Sequence, residues 1–574
     1  MHTKIRLKII LISLLLFVLL FNLPVSAGQM SDVNVWIYFK DKATDSNSRL
    51  YKPNELLTER AVQRRLKVLN HEELVSEKDL PVSEKYIEVI LPLINKIRLK
   101  SRWLNAVSVE IAEENINKIE ALNFVDKVTP VLAYKKEIPG ENLVIDSEYD
   151  YLRKKNIELD YGNSLTQLEL IKVPAMHEKG FYGQGVLICM LDDGFNLLNI
   201  HEAFDSLDVI ATWDFINADE SVDDSGLIGS EGWHGTKTLS CIGGYVPGKL
   251  IGPAFKASYL LAKTEVDDGE TKIEEDYWVA GIEWAENQGA DIASSSLGYI
   301  DWYTQDDMDG KTAVTTIAAD IAVELGMVVV CSAGNEGYSV NQNTLIAPAD
   351  GDNVIAVGAV SSNGLRSSFS SIGPSADGRI KPDVAAMGTG VYVASSSDSM
   401  GYTLSNGTSF SCPLTSGAIA LLLNAYPQLT PEQIYDAVIS TASQSTYPDN
   451  LLGYGIINIE AAYNYIDTSR LVEIDQEPYP EFIKLSQNYP NPFNSQTTIE
   501  YSLKQSAEVE IYIYDFLGRK IESFNTGIKR GKRFYSFTYD FSSYASGVYF
   551  FQVRAKKYST ADVSIKSKKL IFIK

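Results

Sequence analysis

Val186-Leu187-Ile188-Cys189-Met190-Leu191-Asp192-Asp193-Gly194 is the stretch that decides the fold. An unbroken apolar run, Val186–Leu191, stops abruptly at two acids and a glycine. A strand that is apolar on both faces is buried on both faces, which is the habit of parallel sheets covered by helices. In such sheets ligand-binding and catalytic groups collect at the carboxyl ends of the strands. Asp192 sits at such an end.

Moving outward, Asp291–Leu297, Met327–Ser332 and Val354–Val360 are runs of the same kind. The helical patterns Asp276–Asn287 and Thr312–Leu325 lie between them. Strand and helix alternate throughout residues 166–467, which predicts an α/β domain built on a doubly wound parallel sheet.

The flanks have a different character. Residues 30–135 read as a small α/β unit. It has a strand at 33–39, a helix from Pro53 through Leu69, strand-like alternation over Trp103–Ile111, a helix at Glu113–Leu122 and a final strand at Phe124–Val131. Residues 136–165 are a polar linker with Pro139-Gly140 and the basic clusters Lys135-Lys136 and Arg153-Lys154-Lys155. A second linker spans 468–479. Residues 480–574 are rich in Tyr, Phe, Val and Ile, with alternating runs such as Val509–Tyr514 between turn residues, which predicts a small all-β sandwich. At the N-terminus, Lys4, Arg6 and Lys8 precede the apolar run Ile9–Leu23, and Val25-Ser26-Ala27 follows. That order is expected of a secretory signal peptide over residues 1–27, with no transmembrane span left in the mature form.

The 574 residues carry a net charge of −23, and the excess acid is concentrated in the middle block. Such a surface repels nucleic acid, so nucleic acid is not an expected partner. Hydrophobic residues at 45% and charged residues at 22% exclude a disordered or polytopic membrane chain. Only four cysteines occur, Cys189, Cys241, Cys331 and Cys412. All lie on apolar stretches and are expected to be buried free thiols rather than a disulfide framework.

Amide hydrolysis by a hydroxyl needs an imidazole base, a carboxylate to orient that base, and donors for the oxyanion. The middle block offers each. Asp192 ends a strand, and His234-Gly235-Thr236 forms a glycine-flanked turn. Ser332-Ala333-Gly334-Asn335 ends another strand, and Gly407-Thr408-Ser409 leads into an apolar helix. A serine at a helix start also gains from free main-chain N–H groups and the helix dipole.

The order Asp…His…Ser, with Asp-x-Gly, His-Gly-Thr, Ala-Gly-Asn and Gly-Thr-Ser-x-x-x-Pro, resembles the subtilisin-like serine proteases. The resemblance implies a subtilisin-like fold and a serine endopeptidase working through an acyl-enzyme. It makes Ser409 the nucleophile, His234 the base and Asp192 its orienting partner, with Asn335 as oxyanion donor. Ser296, Leu297 and Gly298 match the family's substrate-pairing edge. The sequence departs from the family at Lys237, where a second His is usual, at Leu414 after Pro413, and at Asp193. Asp-Asp-Gly also occurs in the kexin-like branch, where the second acid helps to recognise a basic side chain, so Asp193 is expected to bind substrate. The loop acids Asp301, Asp306, Asp307 and Asp309 read first as a solvated charge run. With Asp193 they would instead form an acidic rim favouring Lys or Arg. The chemistry needs no cofactor, and the Asp307-x-Asp309-Gly310 loop is the candidate for a structural calcium ion, with no metal ligands assigned.

Residues 30–135 resemble the family's inhibitory, chaperone-like propeptide, so the chain's own propeptide is an expected partner and the enzyme an expected self-processing zymogen. Leu485–Asn494, Ile513–Arg519, Ser546–Phe550 and Lys568–Lys574 resemble the type A sorting domain of type IX secretion. That implies the secretion machinery as a partner and release from, or display on, the outer surface of a diderm bacterium. Two other readings use the same residues: a catalytically silent surface adhesin on this scaffold, and a transpeptidase passing the acyl group to an amine. Protein or peptide substrates are expected in the leading reading.

Overall fold

The computed structural model describes residues 32–43, 52–131, 159–224, 232–266, 273–300, 302–338, 343–473, 482–503, 506–529, 534–557 and 563–574. The signal-peptide segment 1–27, the basic clusters of the first linker and Asp301 lie outside them. No helix among the described residues is long and apolar enough to cross a membrane. The chain divides into two compact units, residues 1–468 and 469–574.

The first unit opens with a four-stranded antiparallel sheet of β1 (Asp32–Phe39), β2 (Lys96–Ser101), β3 (Ala106–Ala112) and β4 (Val125–Val131), in the order β2-β3-β1-β4. The helix expected from Pro53 to Leu69 is broken. Pro53–Leu56 is a single turn, and α1 (Glu59–Arg65) starts afresh where the Thr58 hydroxyl accepts the Ala61 amide. The helix α2 (Glu84–Ile90) and strand β2 went unread because neither carries a clean apolar period. The short helix α3 (Ile116–Glu120) precedes β4.

The middle block is built on a seven-stranded, all-parallel sheet. Its strands are β5 (Leu187–Asp192), β6 (Asp208–Asp214), β7 (Ser258–Lys263), β8 (Ile292–Ser295), β9 (Val328–Ser332), β10 (Ile355–Val360) and β11 (Val384–Met387), in the order β11-β10-β9-β8-β5-β7-β6. From β5 the chain builds one side through β6 and β7, then crosses to build the other from β8 onward. The reversal falls between the neighbours β5 and β8, which is where ligands enter open α/β sheets. Every residue of β5 is buried. Ile188 and Met190 pack into one core and Leu187, Cys189 and Leu191 into the other, so the continuous apolar run serves both faces. The connecting helices are α4 (Trp233–Gly243), α5 (Ile273–Gln288), α6 (Val314–Glu324) and α7 (Thr408–Ala425). α7 is buried from Thr408 to Leu423, which explains why it is apolar all round. All four cysteines are buried free thiols.

The β1–β4 sheet is docked on α5. Trp103, 5% exposed, packs with Trp278, Val279 and Ile282. Arg98 pairs with Asp276 at 3.1 Å, and Arg65 and Arg102 reach Glu286 at 2.8 and 3.2 Å. The basic face of this small domain thus meets acids on the helix α5 of the middle block.

The second unit holds two antiparallel sheets. One orders β12 (Ile483–Leu485), β13 (Gln496–Leu503) and β16 (Phe534–Asp540). The other orders β15 (Lys520–Lys529), β14 (Ala507–Asp515), β17 (Gly547–Lys557) and β18 (Val563–Phe572) as β15-β14-β17-β18. Both sheets contribute to one core, including Ile499, Tyr501, Ile511 and Phe551, as the alternating sequence requires.

Candidate active site

Asp192 ends β5 with its carboxylate fully buried. A buried carboxylate needs donors, and three are present. His234 Nδ1 lies 2.6 Å from Oδ1, the Asp193 amide donates to Oδ1 at 3.0 Å, and the Thr238 hydroxyl donates to Oδ2 at 2.8 Å. His234 and Thr238 stand four residues apart on α4, so both face the acid. Thr238 was not anticipated, although that spacing announces it. With Nδ1–H committed to the carboxylate, Nε2 is left as the acceptor.

The structure gives Asp193 a different place from the substrate contact expected of it. It is buried, and its two oxygens accept the main-chain amides of His234 at 3.1 Å and Gly235 at 2.7 Å. Free amides at a helix start attract a carboxylate. Asp193 therefore anchors the helix that carries His234. Gly235 allows this close approach, because any side chain there would strike the Gly194 carbonyl.

Ser409 is the second residue of α7 and 8% exposed. Gly407 precedes the helix at φ +146°, a backbone that favours glycine. Helix geometry leaves the Ser409 amide without an intrahelical acceptor. The Ser409 hydroxyl donates to the Ser296 carbonyl at 3.3 Å, and the Ser296 hydroxyl donates to the Ser409 carbonyl at 2.8 Å. Phe410, the next residue, brings its ring to 6.0 Å from the His234 ring. Asp192, His234 and Ser409 are thereby drawn from three distant segments to the reversal point of the sheet. Catalytic hydrogen bonds to the serine commonly tighten only when substrate is bound.

Asn335 follows β9 at the surface. Its Oδ1 accepts the Thr408 amide at 2.9 Å and the Thr408 hydroxyl at 3.0 Å. With the oxygen so held, the Nδ2 group is the end of the amide left to donate. Ser296, Leu297 and Gly298 continue from β8 beside Ser409. A bridge between Tyr299 and Ala347 pins this segment, with N–H···O distances of 2.8 and 3.0 Å. The Cys412 thiol lies one helical turn beyond Ser409, and burial pushes its pKa up to about 12, so it is no competing nucleophile.

The acidic loop is occupied with its own turns. Asp307 accepts the Thr304 amide at 2.8 Å, and Asp309 accepts the amides of Lys311 and Thr312 at 2.8 and 2.9 Å. Among the described residues, the one cluster with ligand atoms within reach of a common ion is Asp192, Asp193 and His234, already committed to one another.

Comparison with known proteins matches residues 183–455 to the subtilase family. Residues 34–142 match the peptidase S8 propeptide domain of Bacteroidota, and residues 487–570 the secretion system C-terminal sorting domain. Subtilisin NAT of Bacillus subtilis subsp. natto is 30% identical over 384 residues, covering 66% of this chain and 86% of that protein. Subtilisin DY of Bacillus licheniformis is 35% identical over 298 residues, covering 51% and 97%. Among solved structures, MycP1 from the ESX-1 type VII secretion system aligns with 21% identity and a TM-score of 0.45, over 58% of this chain and 91% of that one. The sorting domain indicates type IX export to the cell surface or beyond. The chain belongs to the subtilase family of serine endopeptidases, set between a propeptide domain and a secretion-system sorting domain.

Proposed function

We propose that the chain is an exported zymogen whose catalytic body cuts peptide bonds through an acyl-enzyme and first cuts itself free of its propeptide. The Ser409 hydroxyl attacks the scissile carbonyl while His234 Nε2 takes its proton. Asp192 holds the imidazole and stabilises its charged form. The oxyanion is met by Asn335 Nδ2 and the Ser409 amide, donors fixed before the reaction begins. The imidazolium then protonates the leaving amine. Water, deprotonated by the same imidazole, hydrolyses the ester. The linker 136–165 lies between the two domains, and self-cleavage falls within it.

The observation that carries this reading is the 2.6 Å bond from His234 to a buried carboxylate held by two further donors, with Ser409 at a free helix start beside it. The test is fluorophosphonate labelling with N-terminal sequencing of wild type and Ser409→Ala. Labelling and a new N-terminus in wild type alone support it. An unlabelled wild type points to a silent binding scaffold. Products carrying an added amine nucleophile in place of water point to a transpeptidase.

A further inference from the structure

We infer that Lys263 is a positioning residue for peptide hydrolysis. Its buried ammonium fixes Asp224, Asp224 fixes Asn196, and Asn196 holds the turn after Asp192 against the first turn of α4. His234 is thereby kept in register with the Asp192 carboxylate. The inference rests on the endopeptidase reading and deepens it.

Lys263 ends β7, after the buried run Leu260-Leu261-Ala262. It is in register with Asp192, which ends the neighbouring strand β5. The Thr264 amide donates to the Asp192 carbonyl at 2.9 Å, and the Phe215 amide to the Lys263 carbonyl at 3.0 Å. The ends of β5, β7 and β6 are thus tied together. The Lys263 side chain is 2% exposed, and a charge so buried needs partners of opposite sign. Asp224 supplies one at 2.5 Å and Asp214, at the end of β6, another at 3.5 Å. Asp214 is already engaged in its own turn, where its Oδ1 accepts the amides of Ile216 and Asn217 at 2.7 and 3.0 Å. Asp224 lies outside the sheet, and the ammonium is what ties it to the strand ends.

From Asp224 the connection returns to the turn after Asp192. The Asp224 amide donates to Asn196 Oδ1 at 2.8 Å, and the Val222 carbonyl accepts the Phe195 amide at 2.7 Å. The main chain of Asn196 is committed to α4. Its amide donates to the Gly232 carbonyl at 3.1 Å, and its carbonyl accepts the Thr236 hydroxyl at 2.7 Å. Gly232 and Thr236 stand two residues to either side of His234. The junction has no slack. At Gly194, φ +127°, an added methyl group would stand 3.0 Å from the Gly232 Cα, 3.2 Å from the Val222 carbonyl oxygen and 3.4 Å from Lys263 Cδ. The turn is clamped between α4 and the Val222–Asp224 segment, and the lysine stem closes a third side.

The 2.6 Å bond from His234 to Asp192 depends on how α4 sits on this turn. Releasing Asp224 frees one side of the clamp. A misplacement of about 1 Å among reacting groups costs about a hundredfold in rate. The proposed substrate edge, Ser296–Gly298, continues from β8 and has no part in the clamp, so the loss falls on kcat and leaves KM little changed.

The test uses the full chain as wild type, Asp224→Ala, Lys263→Met and the double variant, with competent sites counted by fluorophosphonate titration. An unlabelled wild type defeats the endopeptidase reading itself. Given labelling, each single variant is expected to lower kcat per labelled site by at least about tenfold, with KM little changed. The double variant is expected to be no slower than the slower single one, because both changes break one connection. A merely structural ion pair would lower the urea midpoint and leave kcat per site alone. A labelled Asp224→Ala enzyme with wild-type kcat overturns the inference, whether or not Lys263→Met folds. Losses that multiply in the double variant overturn the connection through Asp224.

Discussion

Ser296 and Ser409 exchange hydrogen bonds, each hydroxyl donating to the other's carbonyl. The exchange depends on Pro413. In an uninterrupted helix the amide four residues on would take the Ser409 carbonyl. Pro413 has no N–H to give. The carbonyl so released accepts the Ser296 hydroxyl, which ties α7 to the segment beside it. Proline and serine in the Gly-Thr-Ser-x-x-x-Pro motif are thus linked by one vacant acceptor.

Ser296→Ala should therefore cost about 1–3 kcal/mol of stability, the price of a buried acceptor left unmet. Pro413→Ala restores an amide at the right place. In the double variant Ser296→Ala/Pro413→Ala, part of that loss should return, as a coupling of about 0.5–3 kcal/mol in a double-mutant cycle. Strictly additive urea-melt energies would show that the two residues do not share the acceptor.

Asp192→Asn should lower kcat by about 10⁴ with little change in KM, because an amide no longer selects the Nδ1–H tautomer. Thr238→Val removes one donor of the three on Asp192 and should lower kcat about tenfold to a hundredfold, in line with a bond to a charged group. Steady-state kinetics on a peptide that the wild-type enzyme cleaves measure both. A Thr238→Val enzyme as fast as wild type would show that the carboxylate needs only the histidine and one amide.

The sheet, and the segments that meet at its reversal point, were legible because their signals are local. A strand buried on both faces is apolar without interruption, and β5, β8, β9 and β10 all announce themselves in that way. The candidate residues lie next to such signals: Asp192 at the end of β5, Asn335 after β9, Ser409 after Gly407. What stayed hidden depends on partners far along the chain. Asp193 reads as a substrate-binding acid until α4, forty residues on, presents its amides. β2 reads Lys96-Ile97-Arg98-Leu99-Lys100-Ser101, too charged for a core strand, because Arg98 answers Asp276 across a domain boundary.

That boundary has a focus at Glu286. Its fully buried carboxylate meets Arg64, Arg65 at 2.8 and 2.9 Å, and Arg102 at 3.2 Å. All three guanidinium groups come from the propeptide side. Removing one partner of a buried ion pair costs about 3–5 kcal/mol, since the remaining charges are left without compensation. Glu286→Gln should weaken the isolated propeptide's inhibition of the processed enzyme by at least about a hundredfold, with kcat on peptides unchanged. An unaltered inhibition constant would place the docking energy in Trp103 and its apolar neighbours instead.

Acid should loosen the catalytic body through His177. This imidazole is 2% exposed, with Nδ1 2.8 Å from the Tyr161 hydroxyl and Nε2 2.8 Å from the Pro253 carbonyl. A carbonyl only accepts, so Nε2 carries the hydrogen and Nδ1 accepts from the tyrosine. Burial disfavours the charged ring and lowers its pKa to about 4 from 6.5, against a smaller opposing effect of the Pro253 bond. Between those two values the unfolded chain binds the proton that the folded chain refuses. Stability from this group is therefore full above pH 6.5 and falls as pH drops towards 4, by about 3 kcal/mol in all. His177→Gln keeps a donor for Pro253 but does not titrate. In a Ser409→Ala background, which prevents self-digestion, urea melts from pH 7 to pH 4 should show a shallower fall for His177→Gln than for its parent. Equal slopes would mean that other groups carry the acid sensitivity of the fold.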